Sequence, residues 1–226
     1  SSDVYKRQVF TMDKILLGDV FIRGGSSSGT HVLEEGRPIG QFYGLVCNGI
    51  DENGRYIMVD KDGDGEISDP ADYDYIGSAQ PKLTYGITKT FRYKNFDLSF
   101  FLRGTIGNDI LNATRMAYAQ SGFLPGTNAL DDPLTYTLSE TPRFSNYYLE
   151  KGSFMRLDNL TLGYKIKALN GIRVYFTAQN LFVITKYKGL DPEVPMDSGD
   201  GLTPGVEPRE FYPKARTFSV GLNLNF

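Results

Sequence analysis

Three aspartates, spaced two residues apart, mark the stretch of this sequence best suited to binding a metal ion. Asp60, Asp62 and Asp64 alternate with other residues, and Gly65 follows directly. Carboxylates at alternate positions of a loop converge on one hard cation, and a glycine at the sixth position permits a sharp turn. The backbone carbonyl of Glu66 would supply a further ligand. Because every candidate ligand atom is an oxygen, calcium is favoured over a transition metal.

The acid that should close this loop is displaced by one residue. Loops of this type carry a bidentate acid at the twelfth position, which here is Ala71, followed by Asp72. Either Asp72 closes the site across one inserted residue, or Asp69 takes its place. The other interpretation is a solvated acidic turn, because Asp-Gly pairs are also turn formers. The predicted calcium ligands are Asp60, Asp62, Asp64, Glu66 and Asp72.

The sequence lacks a recognisable arrangement of catalytic residues. His31 is the only histidine, and no nucleophile or carboxylate motif surrounds it, so we expect a surface histidine. Cys47 is the only cysteine, which excludes an internal disulfide, and nothing near it indicates a reactive thiol. No glycine-rich phosphate loop joins a strand to a helix. We therefore expect that the protein is not an enzyme.

Composition narrows the class of protein further. The formal net charge of -3 gives no basic surface for nucleic acid. No apolar run approaches the roughly 20 residues of a membrane helix. Strands of a membrane barrel alternate apolar and polar residues, and therefore average out as hydrophilic. The 15 Tyr, 15 Phe and 25 Gly suit many strands with aromatic girdles and glycine-rich loops.

Alternation of apolar and polar residues predicts several strands. The last ten residues alternate without interruption, which is the pattern of a strand with one apolar and one polar face. Lys89 and Phe101 are exceptions to the alternation in their segments. Arg103, Arg156 and Lys165 fall on the polar faces. The segments with this pattern are 83–93, 96–103, 160–166, 172–179 and 217–226, with 38–46 as a weaker sixth.

The connections between these segments are alternately short and long. Residues 94–95 and 168–171 form tight turns, the second containing Asn-Gly. The connections near 48–80, 106–152 and 185–213 are long. Outer-membrane barrels alternate short periplasmic turns with long extracellular loops, and both tight turns fall on the side of the C-terminus. The sequence therefore predicts an all-β, antiparallel transmembrane barrel. A soluble β-sandwich, serving as a carbohydrate-binding module with a calcium-ordered loop, is the alternative.

An ordered set of short motifs resembles the SusC/RagA family of TonB-linked outer-membrane proteins (TonB-dependent receptors). Single motifs are weak, but their order along residues 36–226 is specific. The motifs are GRPIGQFYG from Gly36, DKDGDG from Asp60, PKLTYG from Pro81, FDLSF from Phe96, GTIGNDI from Gly104, LEKGSFMRL from Leu149, LTLGY from Leu160 and QNLF from Gln179.

The resemblance implies a plugged barrel of about 22 strands, with residues 36–226 as its C-terminal part. Residues 1–35 would be a truncated leading segment whose first residues are suspected to be non-native. The plug and the TonB-contacting segment are not expected within this chain. By its distance to Ile76-Gly77, Asp72 aligns with the family's closing acid. The terminal Phe226 resembles the signal that is read by the outer-membrane assembly machinery.

The resemblance also implies a function. It is TonB-dependent import of large nutrients through the outer membrane of a Gram-negative cell, with oligosaccharides as the first expected cargo and oligopeptides as the second. The implied partners are a SusD-like surface lipoprotein, TonB-ExbB-ExbD and outer-membrane lipid. Aromatic residues of the long loops would either stack on cargo or pack the loops. They are Tyr118, Phe123, Tyr136, Phe144, Tyr147 and Tyr148.

Overall fold

A computed structural model describes residues 14–22, 25–121, 124–126, 128–167, 172–194, 201–208 and 212–224. The strands along these residues are β1 (Ile15–Ile22), β2 (Gly25–Leu33), β3 (Gln41–Leu45), β4 (Cys47–Ile50), β5 (Tyr56–Met58), β6 (Tyr73–Ser78), β7 (Leu83–Tyr93), β8 (Phe96–Ile106), β9 (Asp109–Leu111), β10 (Leu149–Lys151), β11 (Phe154–Ile166), β12 (Ile172–Thr185) and β13 (Thr217–Asn223). The helices are α1 (Ala113–Tyr118) and α2 (Pro133–Thr137). None of the described helices is long and apolar enough to cross a membrane.

The long strands form one antiparallel sheet in the order β13-β12-β11-β8-β7. β7 and β8 pair along their whole length, from Leu83 opposite Ile106 to Tyr93 opposite Phe96. The tight turn between them is therefore confirmed, and the Lys165 amide donates to the Asn95 carbonyl at its edge (2.8 Å). The turn predicted at 168–171 lies outside the described residues. The five long strands that alternation predicted are all present, and the all-β antiparallel fold is confirmed.

This five-stranded sheet has one apolar and one polar face. Because cross-strand partners share a face, Phe91, Leu98 and Leu162 continue one apolar row across three strands. Arg103, Arg156 and Lys165 occupy the polar face, as predicted. Strands of outer-membrane barrels likewise carry one apolar and one polar face. Exposed on the apolar face are Leu83, Ile87, Phe91, Tyr93, Phe96, Leu162, Tyr164, Phe176, Phe218, Val220 and Leu222.

The weaker sixth segment, 38–46, does not join this sheet. Its strand β3 belongs to a second antiparallel sheet in the order β1-β2-β3-β6. Burial explains the difference, because four of the five residues of β3 are buried, and a strand covered on both sides does not need strict alternation. The leading segment up to residue 35 contributes β1 and β2 to the same sheet.

The long connections are folded rather than extended. They contain the paired strands β4 and β5, the paired strands β9 and β10, both helices and a 3-10 turn at Asn146–Tyr148. We call the described residues of 14–80, 107–153 and 186–208 the loop layer. The largest buried hydrophobic cluster lies here and not in the five-stranded sheet. Its members include Val20, Phe42, Leu111, Met116, Phe144 and Tyr148.

His31 is buried in this layer, so the prediction of a surface histidine was wrong. Its side chain has no exposed surface. The Nε2 atom lies 2.9 Å from the carbonyl oxygen of Pro204, and Nδ1 lies 2.9 Å from Thr30 Oγ. Because a carbonyl only accepts hydrogen bonds, Nε2 carries a proton and donates it to Pro204. The Thr30 hydroxyl shares a hydrogen bond with Nδ1 and also lies 3.5 Å from the Leu17 carbonyl oxygen. His31 therefore ties β2 to the connection before β13, and the Phe42 ring, 4.5 Å away, packs on it.

Replacing His31 with leucine should loosen the segment 201–208. The change leaves the Pro204 carbonyl and the Thr30 hydroxyl without their partner in a buried site, at a cost of about 1–3 kcal/mol. Hydrogen–deuterium exchange of the full-length protein would report this as faster exchange in 201–208. Glu35→Leu, at an exposed position of the same layer, is the control and should change little. Unchanged exchange in His31→Leu would show that this contact does not hold the segment.

Candidate metal centre and the polar face of the sheet

Three acidic side chains meet in the loop between β5 and β6. Carboxylate oxygens of Asp60, Asp62 and Asp72 all lie within 4.8 Å of one another. Asp62 is exposed, whereas Asp72 is 1% exposed. Among the described residues, this is the one group of three metal-ligating side chains that are close enough to share an ion. The arrangement gives oxygen ligands from both ends of the loop, as a hard divalent cation requires.

Backbone amides hold the first aspartate in place. The carboxylate of Asp60 accepts hydrogen bonds from the amides of Gly63 (2.6 Å) and Gly65 (2.9 Å). Both glycines have positive φ, 78° and 86° respectively, a conformation that other residues rarely adopt. The Asp-x-Asp-Gly spacing therefore bends the backbone around the Asp60 carboxylate, as the sequence predicted.

Asp72 directly precedes β6 and is held to the rest of the loop by backbone amides. Its carboxylate accepts from the amides of Lys61 (2.6 Å) and Ser68 (2.8 Å). These hydrogen bonds, led by that from Ser68, lower the pKa of Asp72 below its usual value, so the group stays ionised. Asp69, the other candidate for closing the loop, lies outside the group and pairs with Arg143 at 2.8 Å.

Asp64 is not part of this group of side chains, and its carboxylate instead accepts the amide of Glu66 at 2.8 Å. Glu66 was predicted to contribute its backbone carbonyl, so its place in the site stays a prediction. The hydrogen bond from the Asp64 amide lowers the pKa of Asp62. Partial desolvation and the negative charges of Asp64, Asp72 and Asp60 raise it by more, so the net shift of this pKa is upward. Three carboxylates thus repel one another around one point, and a bound cation would relieve that repulsion.

The predicted assembly signal, Phe226, lies outside the described residues. β13 ends at Asn223, and its alternation of exposed apolar side chains is seen as far as Leu224.

A second site, which the sequence did not indicate, lies on the polar face of the sheet. Arg156 Nη2 lies 2.5 Å from Asp191 Oδ1, and both side chains are almost fully buried. Glu193 pairs with Arg103 and, at 2.5 Å, with Lys214. These ion pairs fasten the connection between β12 and β13 to β8 and β11. Their partners lie 21 to 90 residues apart in sequence, so no local pattern could reveal them.

A cavity of about 410 Å³ lies beside this ion network. Its charged lining residues are Arg103 and Glu193, which pair with each other. Burial raises the pKa of Glu193, but the hydrogen bonds from Arg103 and Lys214 outweigh that effect and keep it below its usual value. The cavity therefore offers no uncompensated charge. Its neutral lining includes Gln80, Thr84, Thr105, Asn108 and Phe154.

Two of the aromatic residues predicted in the long loops pack inside the loop layer. Phe144 and Tyr148 are fully buried. The hydroxyl groups of Tyr56 and Tyr148 lie 2.5 Å apart, and burial raises the pKa of Tyr148 to about 12. Tyr136 is 74% exposed, and Phe123 lies outside the described residues. Cys47 is buried, and burial raises the pKa of its thiol, which fits an unreactive cysteine.

Comparison with known proteins places these features in a family. No protein-family model matches the chain. The chain is 36% identical over 228 residues to TonB-dependent receptor SusC of Bacteroides thetaiotaomicron, covering 92% of this chain and 21% of that protein. It is 33% identical over 237 residues to TonB-dependent receptor P3 of Formosa agariphila, covering 87% of this chain and 23% of that protein. The solved structure of the RagAB peptide transporter matches with a TM-score of 0.69 at 24% identity, covering 94% of this chain and 25% of that one.

The chain belongs to the SusC/RagA-type TonB-dependent receptors, as its motifs indicated. It spans between a fifth and a quarter of the length of these curated relatives, 21% of SusC and 23% of P3. The likeness to RagAB shows a shared fold. The matched relatives are receptors and not enzymes, which confirms the prediction of a non-enzymatic class.

Proposed function

We propose that the full-length protein is a TonB-dependent importer of the Gram-negative outer membrane. Residues 36–226 would form the C-terminal part of a closed barrel of about 22 strands. The observation that carries this proposal is the 36% identity to SusC across 92% of the chain. The exposed apolar face of the five-stranded sheet supports it, because a soluble β-sandwich would bury that face against a second sheet.

The proposed cargo is a neutral oligosaccharide, which passes through without chemical change. The family resemblance favours a glycan. The cavity beside the ion network supports it, because its lining combines apolar surface, including the Phe154 ring, with amide and hydroxyl groups, while the charges of Arg103 and Glu193 cancel. Oligopeptide is the second candidate. It is favoured by the likeness to RagAB, a peptide importer, at 23% identity.

The proposed partners follow from the same family. A SusD-like surface lipoprotein would bind at the extracellular side, where the loop layer lies. TonB, with ExbB and ExbD, would supply energy through parts of the protein outside this chain. Outer-membrane lipid would cover the apolar face of the sheet. No nucleic acid partner is proposed, since the net charge is -3.

Deletion of the complete gene in its host tests the importer. Growth on one class of polymer, tested across a panel of glycans and peptides, should be lost, while growth on the corresponding monosaccharide or amino acid should remain. Loss on a glycan with normal growth on peptides would support the proposed cargo, and the reverse would identify a peptide importer. Normal growth and uptake on every polymer tested would contradict the importer.

The acidic loop is proposed to bind calcium as a structural ion. Asp60, Asp62 and Asp72 would hold it, with a backbone carbonyl such as that of Glu66 and water completing the coordination. The ion would order the connection between β5 and β6. Asp72 is buried and Asp62 is exposed, so the site would be open to solvent on one side and could take up its metal ion from the medium.

Removing calcium should make this loop sensitive to protease. EDTA should increase cleavage within 60–72 of the full-length protein, and added calcium should restore resistance, because the ion offsets the repulsion among the carboxylates. Asp62→Asn should abolish the response. Asp51→Asn is the matched control, since Asp51 shapes a similar turn through the Asn53 and Arg55 amides but lies outside the group. Identical cleavage with and without calcium would rule out the proposed ion.

A further inference from the structure

The apolar face of the five-stranded sheet carries one charged side chain. Lys89 lies on this face between Ile87 and Phe91 and opposite Phe100. It is exposed, and it forms no ion pair or hydrogen bond with any residue of the described chain. An ammonium group surrounded by hydrocarbon is costly unless it finds a partner. Lys89 therefore needs an anion that comes from outside the described residues.

A second lysine lies at the end of the same strand. Lys94 occupies the turn between β7 and β8, and its Nζ atom lies 5.3 Å from the centre of the Tyr93 ring. Tyr93 is 71% exposed on the apolar face, so the Lys94 ammonium is drawn toward that side of the sheet. Lys94, too, forms no ion pair among the described residues. Two unpaired cations thus flank the exposed aromatic end of β7.

The depth of Lys89 fits the headgroup region of a membrane. An exposed tyrosine such as Tyr93 marks the level of the interface. Lys89 is four residues from Tyr93, about 13 Å along the strand, or about 9 Å in depth for a strand tilted near 45°. A lysine side chain extends along apolar surface and raises its ammonium to the interface. Both ammonium groups can therefore reach the same layer of phosphates.

The surrounding surface fits acyl chains. The Phe91 and Phe100 rings stack with centres 6.2 Å apart, and Phe96 lies 4.6 Å from the Tyr164 ring on the next strand. These rings form a continuous apolar surface beside the two lysines. A lipid whose phosphate meets Lys89 and Lys94 would lay its chains on these rings.

We propose that Lys89 and Lys94 bind the phosphate of an anionic glycerophospholipid at the turn end of β7. The inference rests on the proposed placement of this sheet in the outer membrane. An anionic lipid is preferred over a zwitterionic one, because the amine of a zwitterionic headgroup competes with the lysines for its own phosphate. The lipid phosphate would neutralise the charge that interrupts the apolar face, and its acyl chains would cover the apolar side chains around it.

The test compares lipid retention by variants of the full-length protein. The protein is purified from outer membranes in mild detergent, exposed to equal amounts of phosphatidylglycerol and phosphatidylethanolamine, and studied by native mass spectrometry. The Lys89→Met/Lys94→Met variant should retain about tenfold less phosphatidylglycerol. Lys165→Met/Lys167→Met is the matched control. It removes the same number of positive charges near the same end of the sheet, but Lys165 lies on the polar face. This variant should retain as much lipid as the unchanged protein.

Several results would overturn the proposal. Two of these are equal retention of phosphatidylglycerol by both variants and an equal loss of it in both. The third is a loss of stability in Lys89→Met/Lys94→Met without loss of lipid, which would point to an acidic protein partner. If that variant does not fold, the Lys89→Gln/Lys94→Gln variant decides in the same way. Heat-modifiable migration and fractionation with the outer membrane test the membrane placement separately. Their failure would contradict the proposed function, whereas failed lipid retention alone contradicts only this site.

Discussion

Replacing Arg156 with methionine should weaken the attachment of the β12–β13 connection to the sheet by about 3–5 kcal/mol. The guanidinium lies 2.5 Å from Asp191, and the two side chains are 4% and 5% exposed. Methionine fills similar space but leaves the Asp191 carboxylate buried without its counter-charge. That uncompensated charge, rather than the lost attraction, accounts for most of the expected cost.

Hydrogen–deuterium exchange of the full-length protein would measure this effect. Peptides covering residues 186–194 should exchange much faster in Arg156→Met, while the paired strands β7 and β8 should not change. Arg156→Met/Asp191→Leu should recover most of the lost protection, because replacing both partners of a buried pair with apolar groups is often neutral.

Lys151→Met provides the matched control for this prediction. Lys151 pairs with Asp109 at 2.7 Å, a distance similar to that of the buried pair, but its side chain is 77% exposed. Exposed pairs contribute about 0–1 kcal/mol, so exchange should change little. Similar effects in both variants would show that burial does not set the strength of the Arg156–Asp191 pair.

Phe144→Ala should destabilise the loop layer by about 3–5 kcal/mol. Phe144 is 1% exposed and belongs to the largest buried cluster. Removing its ring leaves a cavity that the strands on either side cannot fully close. Peptides covering 108–118 and 144–151 should lose protection from exchange, whereas the five-stranded sheet should keep it. Tyr136→Ala removes an aromatic ring that is 74% exposed and should change protection little.

A double substitution with Gly44 makes this prediction sharper. A Cβ atom on Gly44 would lie 2.5 Å from a carbon of the Phe144 ring, so Gly44→Ala alone should also destabilise the layer. With the ring removed, the added methyl group has space. The combined loss should therefore be smaller than the sum by about 0.5–3 kcal/mol. Strict additivity would show that the two residues do not share this space.

The five long strands could be predicted because their pattern reflects a local requirement. A strand with one apolar and one polar side must alternate, and the alternation runs from Leu83 to Tyr93 with the single exception of Lys89. That exception remained an outlier until the register placed it opposite Phe100 on the apolar face. The strand expected in the weaker sixth segment is present as β3, but it joins the second sheet, where burial on both sides removes the need for alternation.

The metal loop was predictable in part for the same reason. The turn around Asp60 depends on glycines within five residues, and the structure shows the expected amide contacts. Whether Asp64 or Asp72 joins the group depends on how the chain returns to β6. That path is shaped by contacts to Arg143 from a distant connection, and the spacing of the aspartates alone does not predict it.

By itself, the sequence determined the class of protein, the two-faced strands, the tight turn after Tyr93 and the acidic loop. The class followed from the order of short motifs along residues 36–226, and the other features depend on residues that are close together in the chain. Only the tertiary structure decided that His31 is buried against Pro204, that Arg156 pairs with Asp191, and that the hydrophobic core lies in the loop layer. The physical reason is that burial and ion pairing depend on which distant segments of the chain come into contact. Such contacts do not require a periodic pattern of residues, so the sequence does not reveal them.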